Sequence, residues 1–310
     1  MGKRNNKGEA KQVNKERQAA AAKEQQEALE AQTAQLQIGG ESTDVDLVRY
    51  CSDACQKEHI PQHNDVCVKR AAELGRDELL FRQPESTHLG DCPICCLPMP
   101  LELSKSTMMI CCSKVICDGC HYANLIREME GKLEFKCAFC RTPVPSNDEA
   151  DEMNMKRIEV NDPLSMRQEG ILQYKKRDYS SAFEYFTKAA ELGEMEAHCK
   201  LAGMYYVGQG VEKDRGKQLH HWEEAAIGGH PTARYNLGCH EWNNDNEERA
   251  VTHYIIAATQ GNDDSIKALM GAFKGGFVSK DGLAAALRAH QAAVDATKSQ
   301  QREAAKIARI

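Results

Sequence analysis

Nine of the chain's fourteen cysteines fall within the 49 residues from Cys92 to Cys140. They are grouped as Cys92-Pro-Ile-Cys95, Cys111-Cys112, Cys117-Asp-Gly-Cys120 and Cys137-Ala-Phe-Cys140, with Cys96 as the odd one out. Each Cys-x2-Cys pair folds into a knuckle that presents two thiolates to one ion, so three such pairs in so short a span point to zinc. A segment this small buries too little apolar surface to fold alone. The metal must therefore supply much of its stability.

The setting agrees with reduced, metal-holding thiols. No run of 18 apolar residues occurs, and Met1-Gly-Lys-Arg is followed by no apolar stretch, so neither a membrane span nor a secretory leader is expected. Gly2 is not a myristoylation site, because Asn6 stands where Ser or Thr is required. Fourteen cysteines in such a chain belong in the cytoplasm or nucleus. At 310 residues two or three domains are expected, and a net charge of −6 argues against nucleic acid as the main partner.

Residues 1–44 are rich in Lys, Glu, Gln and Ala and read as a disordered or solitary helical tail. In 45–68, Cys51-x3-Cys55-x7-His63-x3-Cys67 places each pair on one helical face. The string Tyr50-Cys51-Ser52-Asp53-Ala54-Cys55-Gln56-Lys57 with His59, Pro61, His63 and Cys67 resembles the second half of a MYND zinc finger. In that family the ligands interleave between two ions, and the earlier cysteine pairs are missing here, since no cysteine precedes Cys51. Three outcomes stay open: a single Cys3His zinc, a metal-free helical hairpin, or a truncated or decayed finger. A degenerate finger holding at most one zinc is the reading adopted. Residues 69–90 read as a linker helix, with Val68, Ala71, Leu74, Leu79, Leu80 and Phe81 as its stripe and Pro84 as its breaker.

The central stretch, 91–142, resembles a RING-type zinc finger. In the RING cross-brace Cys92, Cys95, Cys117 and Cys120 share one zinc, and Cys137 and Cys140 share the other with a second pair. That pair departs from the family pattern, because Lys114 occupies a ligand slot and an ammonium has no lone pair to donate. Cys111 and Cys112 together close the count at eight, with Cys96 spare; His121 is a weaker alternative. Between Cys117 and Gly131 a short helix is expected, with Asp118 as N-cap, Gly131 as stop, and Tyr122, Leu125, Ile126 and Met129 as its apolar face. The resemblance implies a shallow groove for a ubiquitin-conjugating enzyme, with Ile94, Leu125 and Arg141 as contact candidates. Ala138, where many RING fingers carry Pro, alters part of it. A structural zinc module that binds protein and activates nothing is the competing reading.

Residues 143–162 have linker composition. Residues 163–298 repeat: Ala189-Ala190 to Gly193, Ala225-Ala226 to Gly229 and Ala257-Ala258 to Gly261 are spaced by 36 and then 32 residues. Such a period means a helical solenoid, with each Gly ending the second helix of a unit in a left-handed cap. Leu201-Ala-Gly203, Leu237-Gly238 and Leu269-Met-Gly271 recur in step and suggest close packing of paired helices. The phrase Tyr205-Tyr206-Val-Gly208-Gln-Gly210-Val211 followed by Trp222-Glu-Glu-Ala225-Ala226 resembles the Sel1-like repeat, a relative of the tetratricopeptide repeat. Residues 163–193 read as a divergent cap, and the tail from Ser299 to Ile310 as frayed. Cys199, Cys239, Trp222 and Trp242 read as packing residues. His220, His221, His230, His240 and His253 lie in different units without pair spacing and read as non-ligands.

The expected fold is thus mainly α: small zinc-stabilised α+β fingers followed by an α-solenoid of helix-turn-helix repeats. The order of modules is similar to that of diatom and algal repeat proteins. It suggests an adaptor whose repeats bind a protein and whose RING-like finger recruits a conjugating enzyme, with a non-enzymatic scaffold as the alternative.

Overall fold

The computed structural model describes residues 75–308. The tail 1–44 and the finger 45–68, with Cys51, Cys55, His63 and Cys67, lie outside the described residues. The described residues fall within one compact unit, and it is mainly helical.

The cysteine-rich stretch folds into a small α+β module. Strands β1 (Ser106–Met109) and β2 (Lys114–Cys117) pair antiparallel, Ser106 opposite Cys117 and Met109 opposite Lys114. The turn between them carries Cys111 and Cys112 and closes through Ser113, whose backbone is left-handed at φ 52 and whose N–H donates to the Met109 carbonyl. Helix α1 (Asp118–Glu130) follows directly. Cys117 caps it through the backbone, and Asp118 sits inside the first turn, where its carboxylate accepts from Thr107. The expected stop at Gly131 is right-handed; the left-handed residue is Lys132, at φ 49. Before and after this core lie two matching knuckles. In the first, Cys92 N–H donates to the Leu97 carbonyl and Asp91 bridges to Pro98. In the second, Cys137 N–H donates to the Thr142 carbonyl and Lys136 bridges to Pro143. Ile116, Met99 and Met109 are buried among the cysteines, which is a very small apolar core.

The segment 143–162, expected to be a linker, contains helix α2 (Asn147–Glu159). Its start is a capping box: the Ser146 hydroxyl accepts from Glu149 N–H, and the Glu149 carboxylate accepts from Ser146 N–H. Of the acidic residues that suggested a linker, Asp148 and Glu149 sit in the first turn, at the positive end of the helix dipole.

Four helical pairs then stack: α3 (Pro163–Lys175) with α4 (Tyr179–Glu191), α5 (Met195–Val207) with α6 (Arg215–Ile227), α7 (Pro231–Trp242) with α8 (Glu247–Thr259), and α9 (Asp263–Lys274) with α10 (Lys280–Ala296). Short polar caps start each first helix: Asp162, Glu194, His230 and Asn262 accept from backbone N–H groups. The Ala-Ala positions of α4, α6 and α8 are buried, and Gly193, Gly229 and Gly261 are left-handed at φ 81, 83 and 90. The first pair is a regular unit rather than a divergent cap: Gly170 packs on Phe186 in α4 as Gly238 packs on Tyr254 in α8. Close approach therefore belongs to Gly170 and Gly238. Gly203 and Gly271, one residue out of phase, face open space.

Two further segments were expected to be loose and are docked. Residues 82–90 form a non-helical strap that follows the helical segment 75–81, and both pack against the repeats. Arg76 pairs with Glu223 and Glu224 of α6, Arg249 lies over the Phe81 ring at 4.6 Å, and His88 N–H donates to the Gly229 carbonyl at 3.0 Å. The fully buried Arg234 donates to the Leu80 and Ala226 carbonyls. The tail from Ser299 forms helix α11 (Gln300–Ile307), capped by Ser299 and packed on α1. Its Arg302 donates to the Pro98 carbonyl at 2.7 Å, the Thr297 carbonyl at 2.6 Å and Leu97 at 3.3 Å. No helix among the described residues is long and apolar enough to cross a membrane.

Candidate metal centre

The order of the cysteines along the chain and their order in space differ, and the difference defines the site. Cys92 and Cys95 from the first knuckle meet Cys117 at the end of β2 and Cys120 in the first turn of α1. Cys111 and Cys112 from the β-turn meet Cys137 and Cys140 from the second knuckle. Pairs one and three thus form one set, and pairs two and four the other. Within each set the four sulfurs lie within 4.8 Å of one another. Cys92 to Cys120, Cys95 to Cys117 and Cys112 to Cys137 are each 3.8 Å, and Cys111 to Cys140 is 3.4 Å. A zinc ion with Zn–S bonds of about 2.3 Å separates tetrahedral sulfurs by about 3.8 Å. The cysteine sets match that edge length, and no disulfide competes for them.

The surroundings suit thiolates. Cys117 N–H points at the Cys92 sulfur, and the Phe139 and Cys140 N–H groups point at the Cys137 sulfur. A hydrogen bond from Cys117 pulls the Cys92 thiol down to about 4, although burial opposes it, and the same sharing pushes Cys117 up. Burial pushes Cys120 up to about 12. In the second set a hydrogen bond with Thr142 draws Cys140 down to about 6, while burial pushes Cys111 and Cys112 up. Arg302 reaches the Cys95 sulfur at 3.5 Å and places a cation beside the first set. A zinc held by four thiolates carries a net double negative charge, about half of which that guanidinium would offset.

Lys114 is exposed on β2 and lies 5.8 Å from the Phe139 ring centroid, so it takes no part in either set. Cys96 is exposed and left-handed at φ 56, in the place that Arg141 holds in the second knuckle at φ 65. His121 is in neither set. On the surface, Ile94 and Phe139 are exposed and Leu125 is half-buried. Arg141 Nη1 donates to Asn124 Oδ1 at 3.2 Å and lies 3.9 Å from the buried Glu128 carboxylate. Tyr122 and Ile126, expected on an open apolar face of α1, instead line a hollow closed on one side by Gln301 and Ala304 of α11.

Among the other residues singled out, Cys239 accepts from the Tyr254 hydroxyl at 3.6 Å, and Trp242 packs edge-on against Phe277 at 5.3 Å. Trp222 packs beside buried Ala226 and Leu237. His253 is buried against Phe81. His221 Nδ1 lies 3.0 Å from His198 Nδ1, and burial with that neighbour holds it down to about 4. His230, read from its isolation as a non-ligand, stacks on His88, a residue that no spacing pattern marks.

Comparison with known proteins identifies two modules. The MYND finger family model matches residues 46–67, and the Sel1 repeat model matches 165–194, 196–230 and 231–262. The first helical pair is therefore a Sel1 repeat in its own right. A MYND finger is a zinc-binding domain, and zinc is the metal of this chain. HcpC of Helicobacter pylori (strain ATCC 700392 / 26695), whose name proposes a beta-lactamase, is 42% identical over 52 residues, 17% of this chain and 18% of that protein. The matched part thus spans under a fifth of that relative. Among solved structures, a Sel1 repeat protein from Oxalobacter formigenes is 24% identical, with a TM-score of 0.43 over 56% of this chain and 70% of that one. A protective antigen of uropathogenic Escherichia coli with an SLR fold is 20% identical, with a TM-score of 0.38 over 61% and 40%.

Proposed function

We propose that this chain, a zinc-binding protein-interaction adaptor by virtue of its MYND finger and Sel1 repeats, is a RING-type ubiquitin ligase that holds a charged conjugating enzyme beside a partner gathered by the repeats. The observation that carries the reading is the interleaving of the ligand sets: Cys92, Cys95, Cys117 and Cys120 around one centre, Cys111, Cys112, Cys137 and Cys140 around the other. Such a cross-brace needs both ions to hold its two knuckles at fixed distance. Each ion would have four sulfur ligands and no open position, so its work would be structural. Catalysis would come from positioning the thioester, not from any residue of this chain that reacts. Ile94, exposed on the first knuckle, Leu125 on α1 and Arg141 after the last ligand would form the contact.

The partner would sit on the repeats. Tyr206, Arg215, Trp222, Asn236 and His240 line a hollow of about 770 Å³ between α5, α6 and α7, which mixes aromatic faces with polar tips. That mix suits protein recognition.

One observation favours a plain scaffold instead. Arg141 already donates to Asn124 and lies near Glu128, contacts that reaching a second protein would have to give up. An autoubiquitination assay across a panel of conjugating enzymes separates the readings. The ligase reading expects chains, and Ile94→Ala and Arg141→Ala should each lower chain formation by roughly tenfold or more at unchanged zinc content. No chains with any conjugating enzyme would leave the scaffold.

A further inference from the structure

A third group of donor side chains meets outside the two cysteine sets. His88 comes from the strap, four residues before Cys92. Glu196 lies in the first turn of α5, and His230 is the N-cap of α7. Glu196 Oε2 is 2.9 Å from His230 Nε2 and 3.9 Å from His88 Nε2. The side chains of His88, Glu196 and His230 are only 6%, 8% and 6% exposed. The two rings stack with centroids 4.1 Å apart and planes at 13°. Hydrogen bonding leaves this arrangement incomplete. Both ring nitrogens of His88 are buried without a partner, which a folded protein rarely tolerates.

We propose that His88, Glu196 and His230 hold a divalent metal ion of the zinc class, which clasps the strap leading into the cysteine module to the first turn of α5 and the N-cap of α7. One donor atom from each residue lies within 4.8 Å of the other two. Zinc bonds to imidazole nitrogen and carboxylate oxygen run to about 2.0–2.2 Å, which sets neighbouring donors about 3.3 Å apart. The observed 2.9 and 3.9 Å bracket that spacing. An ion there gives His88 Nε2 the partner it lacks once the His88 ring turns out of its stack on His230, because imidazole donates in its ring plane and near-parallel rings cannot both aim at one ion. Lys200 Nζ holds the other Glu196 oxygen at 2.8 Å and so fixes the carboxylate with Oε2 toward the rings. With three protein donors, the fourth position falls to water.

The proton balance is simple. Ala233 N–H points at His230 Nδ1 at 3.3 Å, so without metal the ring carries its proton on Nε2 and donates it to Glu196. On loading, Nε2 gives that proton up to solvent while Nδ1 keeps the bond from Ala233, so metal and proton compete for the ring. The site is independent of the ligase reading, since neither cysteine set contributes to it.

The test is a zinc-edge anomalous difference map from crystals of the full chain grown with zinc, paired with metal analysis of His88→Phe. The phenyl ring keeps the stack on His230 and removes the donor. The expected result is a peak among the three side chains, and in His88→Phe a loss of about one metal equivalent per chain with the peaks at the cysteine sets retained. No peak at the three residues in the zinc-grown wild type, or unchanged metal content in folded His88→Phe, overturns the proposal. If His88→Phe does not fold, the wild-type map decides alone.

Discussion

Gly119, between the third-pair cysteines, is where α1 touches α11. A Cβ at this position would lie 2.7 Å from Arg302 N, 2.8 Å from its Cγ and 2.9 Å from its Cα. Two of those three atoms are backbone within a helix, so they cannot swing aside; α11 must move as a body. Overpacking of this kind costs about 1–3 kcal/mol. Inside α1 alone the change is favourable, because Ala exceeds Gly in helix propensity by about 0.8–1 kcal/mol. The two effects act on different equilibria. The cysteine module keeps its ligands, while docking of α11 loses about 2 kcal/mol, and at 1.4 kcal/mol per tenfold its undocked population rises roughly thirtyfold. An eight-residue helix is marginal on its own, so undocking also unwinds it. Hydrogen exchange reads this directly. In Gly119→Ala, amides of 303–307 should exchange ten- to a hundredfold faster, with those of 121–130 and the zinc content unchanged. Unchanged protection in 303–307 would refute the docking argument. Loss of zinc would show that Gly119 serves the knuckle instead.

Further expectations concern the repeats and the metal. Gly238→Ala should destabilise the array by about 1–3 kcal/mol, because its Cβ would lie 2.6 Å from Tyr254; Gly203→Ala, facing open space, should be neutral or stabilising by up to about 1 kcal/mol. Urea midpoints of the pair test the distinction, and equal shifts would contradict it. Burial opposes charge on Asp162, but its bonds to Ser113, Arg157 and the Ser165 amide outweigh this and hold the carboxyl below its ordinary value. A depressed carboxyl stabilises the fold above its unfolded pKa and loses that contribution as pH falls through the folded value. Asp162→Asn should therefore lower the urea midpoint at pH 7 and have little effect near pH 2; a constant difference between the two would count against it. Chelation should abolish protection of α1 and α11 while the helices from α3 to α10 keep their far-ultraviolet signal, and collapse of both together would mean that the repeats do not stand without the module.

The parts legible in the sequence are those with a local repeat. Paired cysteines and the Ala-Ala-x-x-Gly ends carry their structural reason within a few residues, so both could be placed by spacing. Docked segments could not. Nothing local in residues 75–90 shows that His88 will hydrogen-bond Gly229, or that Leu80 will take a bond from Arg234. Likewise Arg302 becomes a clamp only because Leu97 and Pro98, some two hundred residues earlier, turn their carbonyls toward it. The acidic run before Met153 misled in the other direction: composition said linker, whereas the Ser146–Glu149 capping box, whose pattern was present in the sequence, starts a helix. His88 and His230 were passed over because a ligand set assembled from three distant elements leaves no spacing signature.

The interleaved pairing of the cysteines is tested most directly by counting zinc in Cys120→Ser and Cys112→Ser against the wild type, with the double variant alongside. Each single substitution should lose about one equivalent and the double about two, because each removes one ligand from a separate four-thiolate site. Retention of zinc in Cys112→Ser, or a double variant that loses no more than either single, would contradict the two-centre arrangement.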